Sequence, residues 1–289
     1  MIPPRIIPLT ILALSLPHLG CAGGTGEDMV DAFGDLSTEQ FQQPMTGGQN
    51  GNGGNNGLRT AYFHANKSSL LSATGSRLPG PNHAPSVGVQ ALVSTEGGDK
   101  TLQYAVRCSV LDGQVVSYVD GVYGPKAYEG EGLLAGTSQW TTQGLSASQQ
   151  EALFACMLAH LNPAGMVVPI ALTGEMVAPA EDEEFDLSDY SFHEALWTAT
   201  VSTAGGLIFK VWPIGDLRSS CSQVYLEGTL KNRTCGAVSQ HASCGLEVRL
   251  DVEDDCTVSD GEYTCLGKPA LVTRLIPEYF EQLHPLCIQ

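Results

Sequence analysis

The strongest pattern along this chain is helical and lies at residues 148–161. Leu153, Phe154, Cys156, Met157, Leu158 and Leu161 leave that stretch almost no polar face, which predicts a central core helix buried on all sides. Ser148 is placed to cap it with Glu151 reaching back, and Asn162, Pro163, Ala164 and Gly165 stop it. Residues 99–110 set Leu102, Ala105, Val106 and Ser109 at helical spacing behind Asp99 as N-cap. Asp112 and Gly113 then turn the chain. β-Branched alternation predicts a strand over 115–122, followed by a Gly-rich loop or short hairpin over 129–140. A buried strand is expected over 166–172, with Pro169 marking an edge or a bulge. Residues 190–198 read as a short aromatic-rich helix or turn, 207–212 as a strand, and 58–84 as an extended entry over the domain. Helices and strands neither alternate regularly nor repeat, so the class expected is α+β: one compact disulfide-stabilised domain around a buried central helix.

The N-terminal end has a different pattern. Arg5 precedes an apolar stretch over residues 6–16 and the sequence Pro17-His18-Leu19-Gly20-Cys21. That is the layout of a signal peptide over 1–20, because the stretch is far shorter than the ~20 residues a spanning helix needs. Gly20-Cys21 resembles the lipobox of bacterial lipoproteins, in which the cysteine is lipidated and becomes the new N-terminus. His18 and Leu19 depart from that pattern, and cleavage before Gly23 is the alternative. Residues 21–57 are poor in large apolar side chains and end in a Gly/Asn run, which predicts a disordered tether. The globular domain is expected over 58–289, with a disulfide-rich part over 220–289. Lipidation at Cys21 implies attachment to a membrane without a spanning helix, in the cell envelope and most readily at the outer membrane. Cleavage past Cys21 implies a secreted protein.

Composition narrows the function classes. The chain of 289 residues carries a formal net charge of -17, which argues against nucleic acid, since that partner demands basic patches. No Lys or Arg occurs between Lys126 and Lys210, whereas Glu129, Glu131, Glu151, Glu175, Glu181, Asp182, Glu183, Glu184, Asp186, Asp189 and Glu194 all do. Such a block is expected to be a solvated acidic face.

Beyond Cys21 the cysteines are Cys108, Cys156, Cys221, Cys235, Cys244, Cys256, Cys265 and Cys287. An even number in an exported chain reads as disulfides. Cys108 and Cys156, both in apolar helix-like stretches, are expected to pair. The late cysteines allow several connectivities and staple a segment with little core of its own. Zinc is disfavoured, since no C-x-x-C occurs, and no cofactor is expected.

Catalytic motifs are incomplete. His193-Glu194 lacks the second histidine of H-E-x-x-H because Trp197 stands there, and it reads as a helix-surface pair. His160 reads as a partner for a helix C-terminus. Residues 136–140 lack the second glycine of a nucleophile elbow. The acidic runs at 181–189 and 251–255 do not match a calcium loop. From Leu102 onward, Tyr104 to Cys108, Phe154 to Asn162, the strand after Gly165, Phe192 to Ala195 and the cysteine-rich end resemble a family of uncharacterised cysteine-containing lipoproteins common in myxobacteria. The resemblance implies a disulfide between Cys108 and Cys156 and carries over no activity. The expectation is therefore a non-catalytic envelope lipoprotein for surface interaction or envelope structure, with an envelope or surface protein or glycan as partner. A secreted or surface hydrolase and a contact-delivered lipoprotein toxin are the alternatives.

Overall fold

In the computed structural model, which describes residues 53–179, 186–202 and 205–288, the chain starts with β1 (Gly53–Asn56) and β2 (Leu58–Arg59) and passes directly into helix α1 (Thr60–Thr74). Both ends of this stretch correct the sequence reading. The Gly/Asn residues of β1, expected to belong to the tether, pair antiparallel with residues 168–171. A sheet edge accepts them through the backbone alone, with no need for apolar side chains. The expected extended entry is instead a helix of 15 residues. Thr60, Phe63, Leu70 and Thr74 share its buried stripe, and the half-buried Lys67 on the same stripe donates to the Cys244 carbonyl at 3.0 Å. Polar residues on a buried face hid this helix from a hydrophobic pattern. Cys21, the apolar stretch at 6–16 and the acids at 181–184 lie outside the described residues.

Helices α2 (Val87–Val93) and α3 (Glu96–Ser109) follow and pack closely on α1. Glycine allows the approach: a Cβ at Gly88 would sit 2.4 Å from the Ala73 nitrogen, and one at Gly98 2.1 Å from the Leu92 oxygen. The N-cap of α3 is Thr95, which accepts from Gly98 N at 3.0 Å. Asp99, expected to cap, binds Lys126 Nζ at 2.9 Å and Tyr128 Oη at 2.7 Å. Strand β3 (Val115–Asp120) matches the expected strand, and β4 (Gly124–Glu129) turns it into an antiparallel hairpin.

Helix α4 (Ala147–Ala159) is the buried central helix; every residue from Ala152 to Ala159 is buried. Its capping box uses Ser146 and Gln149 rather than Ser148 and Glu151. Glu151 instead accepts from Val201 N at 3.1 Å and pairs with Lys268 at 2.5 Å. The chain continues through β5 (Leu161–Asn162), β6 (Val168–Thr173), β7 (Phe192–Val201) and β8 (Leu207–Pro213). Helices α5 (Gly215–Ser220) and α6 (Gln223–Cys235) lead to β9 (Leu246–Val248) and α7 (Val252–Asp255). Last come β10 (Cys256–Ser259), β11 (Glu262–Cys265), β12 (Lys268–Pro269), β13 (Leu271–Leu275) and α8 (Phe280–Leu283).

The main sheet has the order β1-β6-β13-β7-β8-β9, antiparallel except for the parallel pair β8–β9. Pro169 faces Asn55 across the pair, so β6 is covered by β1 and is not the edge its proline suggested. β7 replaces the expected short helix. It lies between β13 and β8 with α4 on one face, and on the other Leu196 joins Trp212, Ile214, Cys265, Ala270 and Val272 in a second core. A strand buried on both faces reads as a continuous apolar run, which is hard to tell from a helix by pattern. The class is α+β.

All eight described cysteines are paired: Cys108–Cys156, Cys221–Cys287, Cys235–Cys244 and Cys256–Cys265. The first joins α3 to α4, as the sequence indicated. The second fastens the start of α6 to the C-terminal segment, and the last crosses the hairpin β10–β11. No described helix is long and apolar enough to cross a membrane.

Candidate functional site

Three places gather the side chains capable of chemistry, and two of them are sealed. The first centres on Glu194, which is 0% exposed and so is neither a helix-surface residue nor part of a solvated acidic face. A β-bulge explains its position. Thr273 pairs with Ala195 and Arg274 with His193, so Glu194 is the extra residue of β7 at the register shift. A bulge re-aims the side chains that follow the kink. Phe192 accordingly packs in the same core as Ala195, Trp197 and Ala199.

The Glu194 carboxylate is fully engaged. Arg233 of α6 donates to Oε1, His284 Nε2 donates to the same oxygen at 2.7 Å and Thr273 Oγ1 to Oε2 at 2.7 Å. With Nε2 donating and the ring neutral, Nδ1 of His284 accepts from Thr229 Oγ1 at 3.1 Å. Trp197 Nε1 donates to Thr273 Oγ1 at 2.9 Å, and the Arg233 guanidinium lies over the Trp197 ring while donating to the Ala159 carbonyl at 2.7 Å. Burial pushes the Glu194 carboxyl up, but Arg233 and the hydrogen bonds from His284 and Thr273 outweigh it and hold its pKa below the ordinary value. Burial, aided by Arg233, lowers the pKa of His284 despite the carboxylate beside it. The result is one ion pair and one neutral imidazole tying β7, β13, α4, α6 and the C-terminal segment together. With no solvent-accessible atom, the cluster can hold elements in register but cannot meet a substrate.

The second place surrounds His160, which follows α4 and is 0% exposed. Its Nδ1 donates to the Cys156 carbonyl at 2.7 Å and lies 3.8 and 4.0 Å from the sulfurs of Cys156 and Cys108. Burial lowers its pKa to about 3, against the raising effect of that carbonyl. It is neutral at physiological pH, so the expected role as a charged partner of the helix terminus is corrected. His160 with Cys108 and Cys156, and His64 with Cys235 and Cys244, bring ligand-type atoms within 4.8 Å of one another. Each pair of sulfurs is already bonded as a disulfide and offers no thiolate to a metal.

His193 is partly exposed, with Nδ1 3.3 Å from Asp216 Oδ2. No serine or threonine hydroxyl among the described residues hydrogen-bonds to His160 or His193, so neither heads a nucleophilic relay there. Two residues of the acidic run at 251–255 are engaged by arginine side chains. Asp255 accepts from Arg249 Nε at 2.8 Å and from Trp212 Nε1 at 2.9 Å, and Glu253 accepts from Arg218 at 2.8 Å.

The third place is open. A groove of about 1420 Å³ runs between residues 80–85, helix α2 and the hairpin β3–β4. Val87, Ala91, Val119, Val122, Tyr123 and Pro125 are among its lining residues. Val87, Val119 and Val122 are 80%, 78% and 82% exposed. The charged side chains along it are already occupied. Asp120 accepts from Val122 N and Tyr123 N, both at 2.8 Å, Lys126 is bound to Asp99, and His83 is bonded to Arg77. Tyr118, on the same groove, is 5% exposed. Burial, reinforced by Asp120, pushes its pKa up to about 12. Sequence reading identified β3 but not this surface, because its walls come from segments far apart in the chain. The one available signal was valine at alternate places of a strand with few charges. Comparison with protein-family models, with curated proteins and with solved structures finds no match, so the groove and the two sealed clusters are read on their own chemistry.

Proposed function

We propose that this chain is a non-catalytic cell-envelope lipoprotein, held at the outer membrane through Cys21, which displays its disulfide-stapled domain to a protein partner. The observation that carries this reading is the contrast between the two kinds of site. The Glu194 cluster and His160 are sealed in the core, and the partly exposed His193 lies against Asp216 with no hydroxyl among the described residues bonded to it. The large open surface is mainly apolar, and the charged side chains Asp120 and Lys126 along it are engaged with neighbours. Exposed aliphatic patches of this kind mark protein contact surfaces. Valine and proline walls suit the apolar side chains of a polypeptide. Four disulfides fit an oxidising compartment and stabilise a domain that must persist outside the cell.

The intact mass of the native protein from the membrane fraction, with and without reduction, tests the reading. A lipid-sized addition on a chain beginning at Cys21, with eight cysteines that alkylate only after reduction, is the expected result. A chain without lipid that begins near Gly23 would make the protein a secreted one.

A further inference from the structure

The hairpin beside the groove has one blunted edge and one open edge. Gly130 N donates to the Gln114 oxygen at 3.0 Å, and Gln114 would face Gly130 in the register that sets Val115 opposite Glu129. Backbone groups at the even positions of β3 therefore point toward β4, and those at Val115, Ser117 and Val119 point away. Pro125, opposite Val119, fits the same parity, since its missing N–H falls on the outer side of β4. That proline blunts the β4 edge. β3 has no such protection: no proline, no bulge and no lysine. Its sheet ends there, since β3 and β4 form a two-stranded sheet of their own. Among the described residues, no other element hydrogen-bonds to the backbone of Val115, Ser117 or Val119.

We propose that β3 pairs with β3 of a second copy of this chain, antiparallel about a two-fold axis at Ser117. The strand is self-complementary in that register. Ser117 faces the partner's Ser117, and Val115 faces the partner's Val119, so the exposed valines (54% and 78%) cover each other. Outward-pointing N–H and C=O groups meet as hydrogen-bonded pairs at all three positions. The strands themselves bring no like charges face to face, although each copy carries -17 overall. Asp120 is the one charged residue of the strand and would face the partner's Gln114, with its carboxylate already satisfied by Val122 and Tyr123. The interface is isologous, as a closed dimer requires. A contact built on one six-residue strand is small, so the dimer is concentration-dependent. The pairing uses the strand edge and stands whether or not Cys21 is lipidated.

Sedimentation equilibrium of the oxidised full chain tests this, together with three single variants. The chain is expected to show a reversible monomer–dimer equilibrium. Ser117→Pro removes only an outward N–H, and Val119→Lys puts an edge lysine on the exposed face. Each should raise the dimer dissociation constant at least ~10-fold while leaving the melting temperature of the monomer unchanged. Ser117→Cys should form a disulfide-linked dimer on mild oxidation, because a hydrogen-bonded antiparallel pair places the Cα atoms ~5.5 Å apart, within disulfide range. Val119→Cys should not, because two copies of residue 119 lie on opposite sides of the axis. A chain that stays monomeric at all accessible concentrations, or Ser117→Cys that cross-links no faster than Val119→Cys, would overturn the proposal.

Discussion

Glu194 and His160 are the residues whose sequence context misled most, and both are governed by burial. His193-Glu194 next to aromatic residues suggested a solvated pair. The bulge opposite Thr273 turns the carboxylate inward, where only Arg233, His284 and Thr273 make its burial tolerable. His160 gives a measurable consequence. Its pKa is lowered from 6.5 to about 3 in the folded state by burial, with Arg107 and Arg233 acting in the same direction. As pH falls through 6.5 the unfolded chain takes up a proton that the folded chain refuses. Stability is therefore fully present above 6.5 and is lost on acidification, at up to ~1.4 kcal/mol per pH unit for this residue, until about pH 3. His284, also lowered by burial, acts in the same direction. Urea unfolding measured from pH 7 to 5, above the carboxylate range, should show this slope. His160→Gln should reduce it by close to one proton, and an unchanged slope would mean that His160 titrates normally.

At the scale of elements, the sequence located α4 but not its first turn. A capping box seemed to begin at Ser148; the chain enters the helix two residues earlier, where Ser146 accepts from Gln149 N and the Gln149 side chain returns to Ser146 N at 2.8 Å. Both serines fit the local pattern, and the choice falls to Glu151, which is drawn away to Val201 and Lys268. Ser146→Ala should cost about 1 kcal/mol in unfolding free energy and Ser148→Ala close to nothing. Equal losses at the two positions would return the cap to the sequence-based assignment. Helix α1 and strand β7 were missed for opposite reasons: the buried stripe of α1 carries threonines and a lysine, and β7 is apolar on both faces.

For the whole molecule, the staples differ in how much chain they close. Cys108–Cys156 and Cys221–Cys287 span 48 and 66 residues, whereas Cys235–Cys244 and Cys256–Cys265 each span 9. On the chain-entropy account the long spans contribute roughly 4 kcal/mol each and the short ones ~2.5 kcal/mol. Paired Cys→Ala replacement of Cys108 and Cys156 should thus lower the denaturant midpoint more than replacement of Cys256 and Cys265. The reverse order would place the main stabilising role in the C-terminal hairpin. The long bridges also hold together segments that meet late. β13, the last strand, lies between β6 and β7 at the middle of the main sheet, and the C-terminal segment carries His284 into the Glu194 cluster.

What the sequence determined by itself is local or arithmetic. It indicated the central helix through a nearly unbroken apolar run, β3 through β-branched alternation, a strand at the place of β8, the turn at Gly113, the α+β class, and the pairing of an even set of cysteines, with Cys108 joined to Cys156. Those signals act within a few turns of chain or depend on counting. Tertiary structure alone decided the remaining disulfide pairs, the inward turn of Glu194, the neutrality of His160 and His284, the pairing of β1, and the groove with its open strand edge. Each of these depends on which distant segment lies opposite. Burial, register and the choice of partner are properties of two or more elements brought together, and no periodicity within one of them encodes the other.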